Sequence, residues 1–213
     1  QPGQSLASSA SRILAGLEAV IVGRTPDVVV VQGDTTSTFC GALAAFCSRI
    51  PVAHVEAGLR TDRPDSPFPE EMNRRLSTRL AALHLAATEW AANNLRAEGV
   101  VAEAIRVTGN PGIDALLSLR ATRRQSPTRR AWPWRDRNKR LVTVTAHRRE
   151  NFGQGLEGIC EAVQRLAQRQ DVEMAWPLHP NPDVRRVVLS RLSSTPNISL
   201  LPPLDYPDFI DLL

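Results

Sequence analysis

An α/β chain built from parallel sheets with helices on both faces is what this sequence predicts, and three observations carry that expectation. Short runs rich in Val, Ile and Leu alternate with amphipathic stretches along the chain, the pattern of strand–helix–strand crossovers. Some of these runs are almost continuous in apolar residues, as strands covered on both faces must be. Polar clusters recur where a strand gives way to a helix, which is where open parallel sheets bind ligands.

The elements follow in order. "PDVVVVQG" ends in Gly and reads as a doubly covered strand, and "DTTSTFCGALAAFCSR" as a helix capped by Asp34 or a neighbouring Thr. "IPVAHVEAG" is a second strand. Pro69 suits the first turn of the next helix, on which Met72, Leu76, Leu80 and Leu83 form an apolar stripe. "LHLAAT" is a strand and "EWAANNLRAEG" a helix closed by Gly99; "AIRVTGN" and "PGIDALLSLR" repeat the pair. After a basic stretch, "RLVTVTAH", "VEMAWPLH" and "NISLLPP" read as strands. They are separated by the helices "LEGICEAVQRLAQR", with Leu156, Ile159, Val163 and Leu166 on one side, and "PDVRRVVLSRL", and "YPDFIDLL" opens one more. The expected organisation is therefore a first domain over 1–120, a basic Pro- and Trp-containing connector over 121–140, and a second domain over 141–213.

Composition narrows the function class. The 213 residues, 42% hydrophobic, suffice for two small cores. The net charge is +4, but the excess sits in the connector, and no helix-turn-helix or RNP-like signature accompanies it, so nucleic acid is not the expected partner. No apolar run is read as long enough to cross a bilayer, and the first residues lack a secretory pattern. With only Cys40, Cys47 and Cys160, a reducing cytoplasm is expected. Cys40 and Cys47 share a helical face and read as buried; none of the three has metal-site spacing.

The strand ends hold the candidate chemistry. Asp34 stands at a helix start, where it either caps or helps to bind a polar ligand. Glu56 follows the second strand, and Arg60 or Arg63 could pair with it; catalysis and a loop-fixing ion pair are both open. Glu70 opens its helix and shares a side with Arg74 and Ser77, but Glu70–Arg74 and Glu71–Arg75 also read as ordinary pairs on a solvated face. Asn110 follows "IRVTG". His147, Arg148, Arg149 and Glu150 end the first strand of the second half, where paired guanidiniums suit a diphosphate. His179 is a ligand contact or a turn residue, whereas His54 and His84 read as core histidines.

Taken together, "VQGDTTST", "PVAHVEAGLRT", "SPFPEEMNRR", "VTGNPGIDAL", "VTAHRRENFG" and "PLHPNP" resemble, in order, the non-hydrolysing UDP-N-acetylglucosamine 2-epimerases. The resemblance implies two Rossmann-like domains in a GT-B-like arrangement closing over a nucleotide sugar. It implies reversible interconversion of UDP-N-acetylglucosamine and UDP-N-acetylmannosamine through elimination of UDP to a 2-acetamidoglucal and re-addition, with no cofactor and no metal. By the same resemblance Asp34, Glu56 and Glu70 are acid/base candidates and His147 stabilises the departing diphosphate. Arg74, Asn110, Arg148 and Arg149 bind substrate. Gln4, Arg148 and His179 are candidates for an activating second UDP-N-acetylglucosamine site, and a homodimer is expected. Pro111 and Gly112 depart from the family's usual residues. The family's opening strand with its Gly/Arg loop and its closing uridine-gripping segment are not among these residues, so both domains are expected to be incomplete, in an interior stretch of a larger protein. On its own such a stretch would turn over weakly or not at all. A hydrolysing epimerase, a GT-B glycosyltransferase and a non-catalytic sugar-nucleotide binder are the alternatives.

Overall fold

The structure is a computed structural model and describes residues 5–124, 132–146 and 152–213. The first elements are α1 (Leu6–Arg24), β1 (Val29–Gln32), α2 (Thr36–Cys47), β2 (Val52–Ala57), α3 (Glu70–Leu80), β3 (Leu83–Ala86), α4 (Glu89–Ala97) and β4 (Ile105–Val107). Then come α5 (Pro111–Arg124), β5 (Arg140–Thr143), α6 (Gln154–Ala167), β6 (Val172–Pro177), α7 (Pro182–Leu192), β7 (Ile198–Leu201) and α8 (Tyr206–Leu212). The contacts divide the chain into Gln1–Ile113 and Asp114–Leu213, with the division in the first turn of α5.

In the first unit the described strands form a parallel sheet in the order β1-β2-β3-β4. Small side chains let helix and sheet approach closely. Ala42, Ala44 and Ala45 of α2 are buried with Val31 and Val52, and a Cβ on Gly41 would sit 3.1 Å from Val31 Cγ1. A second cluster gathers Ala57, Ala86, Ala91, Ala92, Leu95 and Ile105 under α4. Gly58, just past β2, has φ +89°, and a Cβ there would lie 2.2 Å from the Ala91 carbonyl oxygen. Only glycine fits that crossing.

Several expectations need correction here. Among the described residues β1 is not covered on both faces: Val31 is buried while Val30 is 61% exposed, and β1 pairs with β2 alone. α1, at 19 residues, is long and apolar enough by length and composition to cross a membrane, contrary to the sequence reading. In this fold its Leu14, Leu17 and Ile21 pack into the core with α2. Cys40 is buried but Cys47, at the last turn of α2, is exposed. The largest difference is in α3. Met72 and Leu76 are each 41% exposed, whereas Glu71, Asn73, Arg74, Ser77 and Thr78 are buried. Met72 and Leu76 thus face outward and the polar face lies inward, while Leu80 at the end of the helix packs on the α2 cluster and Leu83 belongs to β3.

His54 and His84 are core residues, as expected, and lie opposite each other in the β2–β3 register. The second unit holds the parallel order β5-β6-β7, with Trp176 and Met174 of β6 packed against Leu156, Cys160, Val184, Val188 and Leu192. Leu166, expected on the inner side of α6, is exposed; Cys160 and Ala167 take the buried face instead. From the basic stretch, Arg135 pairs with buried Glu173, and the Asp136 N–H donates to both carboxylate oxygens of Glu173 at 3.1 Å. Arg123 near the end of α5 pairs with Asp211 of α8.

Burial, then the neighbouring His54 and the Arg60 guanidinium, lowers the His84 pKa from 6.5 to about 4. Burial lowers His54 as well, against the hydrogen bond it donates to Gly33. As pH falls below 6.5 the unfolded chain takes up protons that the fold refuses, so stability declines until about pH 4. Chemical denaturation at stepped pH should show this loss, with roughly 3 kcal/mol of it removed by His84→Gln. Gly58→Ala should cost at least about 2 kcal/mol in the same measurement, from strain at positive φ and the backbone clash.

Candidate active site

The chain reverses after β1 through Gly33, whose φ is +74°, and enters α2 with Thr35 as N-cap. Thr35 Oγ1 accepts from Thr38 N at 3.3 Å, and Thr38 Oγ1 donates to the Gln32 carbonyl at 2.7 Å. With the cap filled by Thr35, the Asp34 carboxylate is free for other partners. It stands beside a helix N-terminus, where unpaired N–H groups favour negative charge. The Gly33 N–H donates to Val55 O at 3.0 Å, and His54 Nε2–H donates to the Gly33 carbonyl at 2.8 Å. The turn is thus fixed from β2 on both of its polar atoms.

Glu56 is set by a backbone irregularity. The β2–β3 register shifts between Val55 and Ala57, and Glu56 has φ +65°, a left-handed conformation that costs a non-glycine residue on the order of 1–2 kcal/mol. A bulge of this kind re-aims a side chain, and strain of this kind collects at functional positions. Glu56 Oε2 lies 3.6 Å from where a Cβ on Gly33 would stand, an ordinary contact distance, so the carboxylate sits directly beside the turn. Neither Arg60 nor Arg63 pairs with it. Arg60 is committed to Glu98, by Nε to Oε1 at 2.6 Å and Nη2 to Oε2 at 2.8 Å, and that bond holds the Glu98 carboxyl below its ordinary range. The Arg63 guanidinium lies 3.7 Å from Asp65.

The partner of Glu56 is Asn110. Asn110 Nδ2 donates to Glu56 Oε1 at 3.1 Å, and Asn110 Oδ1 accepts from Gly112 N at 2.8 Å. The second bond caps α5 and fixes which way the amide points.

α3 supplies the rest. Arg74 Nη2 lies 3.1 Å from Asp34 Oδ2, and Asn73 Nδ2 donates to the Asp34 carbonyl at 3.0 Å. Glu71 is fully buried. Its Oε1 accepts from Arg75 Nε at 2.8 Å, and its Oε2 accepts from Thr61 N at 3.2 Å and stands 3.5 Å from Arg74 Nε. The expected Glu71–Arg75 pair is therefore present, but not on a solvated face, and Arg74 pairs with Asp34 and Glu71 instead of Glu70. Glu70, at the first position of α3, is half-buried and makes no hydrogen bond or ion pair among the described residues.

The structure thus places two pairs, Asp34–Arg74 and Glu56–Asn110, beside the Gly33 turn at the C-terminal ends of the parallel strands, with Glu70 one turn before Arg74 on the same helix. Gln4, His147, Arg148 and Arg149 lie outside the described residues. His179 is exposed in the second unit, where its Nδ1 accepts from Asn181 N at 3.2 Å in a turn. Sequence reasoning missed Glu71, Asn73 and the turn-holding His54; only the proximity of Glu71 to Glu70 hinted at one of them. Among the described residues no group of three or more His, Cys, Asp or Glu is placed to hold a metal ion. The cluster can do acid/base work on a polar ligand: two carboxylates oriented by an amide and a guanidinium, each with oxygen lone pairs to spare.

The chain also matches known proteins along its length. The family model described as UDP-N-acetylglucosamine 2-epimerase matches residues 1–213. The UDP-N-acetylglucosamine 2-epimerase of Salmonella typhimurium is 46% identical over 219 residues, covering 100% of this chain and 58% of that protein. The crystal structure of UDP-GlcNAc 2-epimerase from Neisseria meningitidis bound to UDP-GlcNAc superposes with a TM-score of 0.95 at 40% identity, over 100% of this chain and 58% of that one. The Methanocaldococcus jannaschii UDP-GlcNAc 2-epimerase, in complex with UDP-GlcNAc and UDP, gives 0.85 at 32% identity over 97% and 58%. The chain thus spans a little under three-fifths of the length of these relatives, and throughout that span it belongs to the UDP-N-acetylglucosamine 2-epimerase family.

Proposed function

We propose that the protein carrying this chain interconverts UDP-N-acetylglucosamine and UDP-N-acetylmannosamine without hydrolysis. A carboxylate removes the C2 proton as the C1–oxygen bond breaks, and that bond's electron pair leaves on the diphosphate. The sugar becomes a 2-acetamidoglucal. In the return step a diphosphate oxygen of UDP attacks C1 and a second acid delivers a proton to the opposite face of C2. Atoms and charge balance over the cycle, so no redox partner is needed.

The observation that carries this reading is the Asp34–Arg74 and Glu56–Asn110 arrangement on neighbouring strand ends. Inversion at C2 needs two positioned groups, one for each face, and each carboxylate here is anchored through one oxygen. Glu70 is a third candidate from the start of α3. His147, with Arg148 and Arg149, takes the diphosphate in this reading, which matches the family motif and the affinity of guanidinium and imidazolium groups for anionic oxygens. Those residues belong to the stretch read as the nucleotide-binding domain, and 1–120 to the acid/base domain. An activating second site drawing on Gln4, Arg148 and His179, residence in the cytoplasm and a homodimer complete the proposal. The exposed Met72 and Leu76 of α3 give a second copy an apolar surface to use.

Turnover of UDP-N-acetylglucosamine by the full-length protein in heavy water tests the reading. UDP-N-acetylmannosamine carrying deuterium at C2 is expected; free N-acetylmannosamine would indicate the hydrolysing alternative, and an absence of C2 exchange would overturn the scheme. Glu56→Gln should lower kcat on the order of 100-fold or more while UDP binding, followed by calorimetry, is unchanged. A sigmoidal rate curve in substrate and a dimer by sedimentation check the second site and the assembly.

A further inference from the structure

Glu71 is the most enclosed carboxylate of the site, and the acid/base scheme does not use it. It is 0% exposed, yet both of its oxygens are engaged. Oε1 takes the Arg75 Nε–H at 2.8 Å. Oε2 takes the Thr61 N–H at 3.2 Å and stands 3.5 Å from Arg74 Nε. The far side of the Arg74 guanidinium reaches Asp34 Oδ2 at 3.1 Å. One buried negative charge therefore sits behind the cation that holds the candidate acid/base carboxylate, and it also fixes the chain that leaves β2 just beyond Glu56.

We propose that Glu71 is a positioning residue for the reaction, acting through Arg74 on Asp34 and through Thr61 on the segment that follows Glu56. The inference rests on the functional reading above and deepens it. Arg74 has a forked guanidinium with charge on both sides, so its orientation depends on Glu71 and Asp34 together. Without Glu71, nothing behind Arg74 among its described contacts opposes its swing toward Asp34 and solvent. Asp34 would then lose its fixed direction, and a displacement of about 1 Å at a reacting group is worth on the order of 100-fold in rate. Burial is what makes Glu71 suited to this task, because a fully enclosed charge cannot exchange its partners for water.

A double-mutant cycle in the full-length protein separates positioning from mere support of the fold. Glu71→Gln keeps the shape and an acceptor for Thr61 N–H but removes the charge; kcat is expected to fall on the order of 100-fold with KM changed far less. Asp34→Asn alone also slows turnover. Adding Glu71→Gln to Asp34→Asn should produce little further loss, because one residue acts through the other. Losses that multiply, or a Glu71→Gln enzyme with wild-type kcat, would overturn the proposal. Should Glu71→Gln not fold, Glu71→Asp, which keeps the charge but withdraws it from Arg74, enters the same cycle, with the same coupling expected and the same multiplication fatal. If the wild-type protein does not convert UDP-N-acetylglucosamine, the functional reading fails by itself. The clamp is then judged by a crystal structure of whichever Glu71 variant folds. Separation of residue 74 from Asp34 beyond about 4 Å supports it, and an unchanged contact overturns it.

Discussion

A helix that turns its charged face into the protein has to be held there by charge, and α3 is such a helix. Its inward residues are Glu71, Asn73, Arg74, Ser77 and Thr78, and its outward ones include Met72 and Leu76. Removing one member of a buried ion pair costs about 3–5 kcal/mol because the other charge is stranded. Here each charge is answered more than once. Glu71 meets Arg74, Arg75 and Thr61 N; Arg74 also meets Asp34; Thr78 accepts from Arg60 and donates to the Arg74 carbonyl. The position of Asp34 follows from this network, and so does the path of the chain after β2.

The other half of the site is set by backbone geometry. The shift in β2 pairing and the positive φ of Glu56 turn its side chain toward the Gly33 turn, where Asn110 receives it. The two mechanisms meet at Gly33. The Glu56 carboxylate lies beside it, its carbonyl is held by His54, and its neighbour is Asp34. A network of charges and a strained strand end thus place carboxylates on adjacent strands, where the topology of a parallel sheet opens its cleft. Strain and buried charge both lower stability, and here they coincide at neighbouring strand ends.

Much of this was legible in the sequence. The alternation of strand and helix, the positions of Asp34, Glu56 and Asn110 at strand ends, and the core placement of His54 and His84 all follow from period, run length and turn residues. Three features did not follow. The helical period of α3 shows two faces but not which one is covered; the rule that apolar faces are buried chose wrongly at Met72 and Leu76. Pairs at i,i+4 look alike in a sequence whether solvated or enclosed, so Glu71 read as a surface residue. Partner choice across long separations is invisible as well: Glu56 lies 54 positions from Asn110, and Arg60 lies 38 from Glu98, so the nearest basic residues were assigned to Glu56 instead. β1 read as doubly covered because a run of Val does not show whether one face or both are packed.

The central claim is that the strand-end carboxylates of the first unit act on the sugar ring. A crystal structure of the full-length protein with UDP-N-acetylglucosamine bound tests it most directly. The account predicts the hexose seated against the Gly33 turn, with an oxygen of Asp34 or Glu56 within about 3.5 Å of C2 or its proton. A sugar ring bound elsewhere, with both carboxylates still engaged only with Arg74 and Asn110, would contradict it.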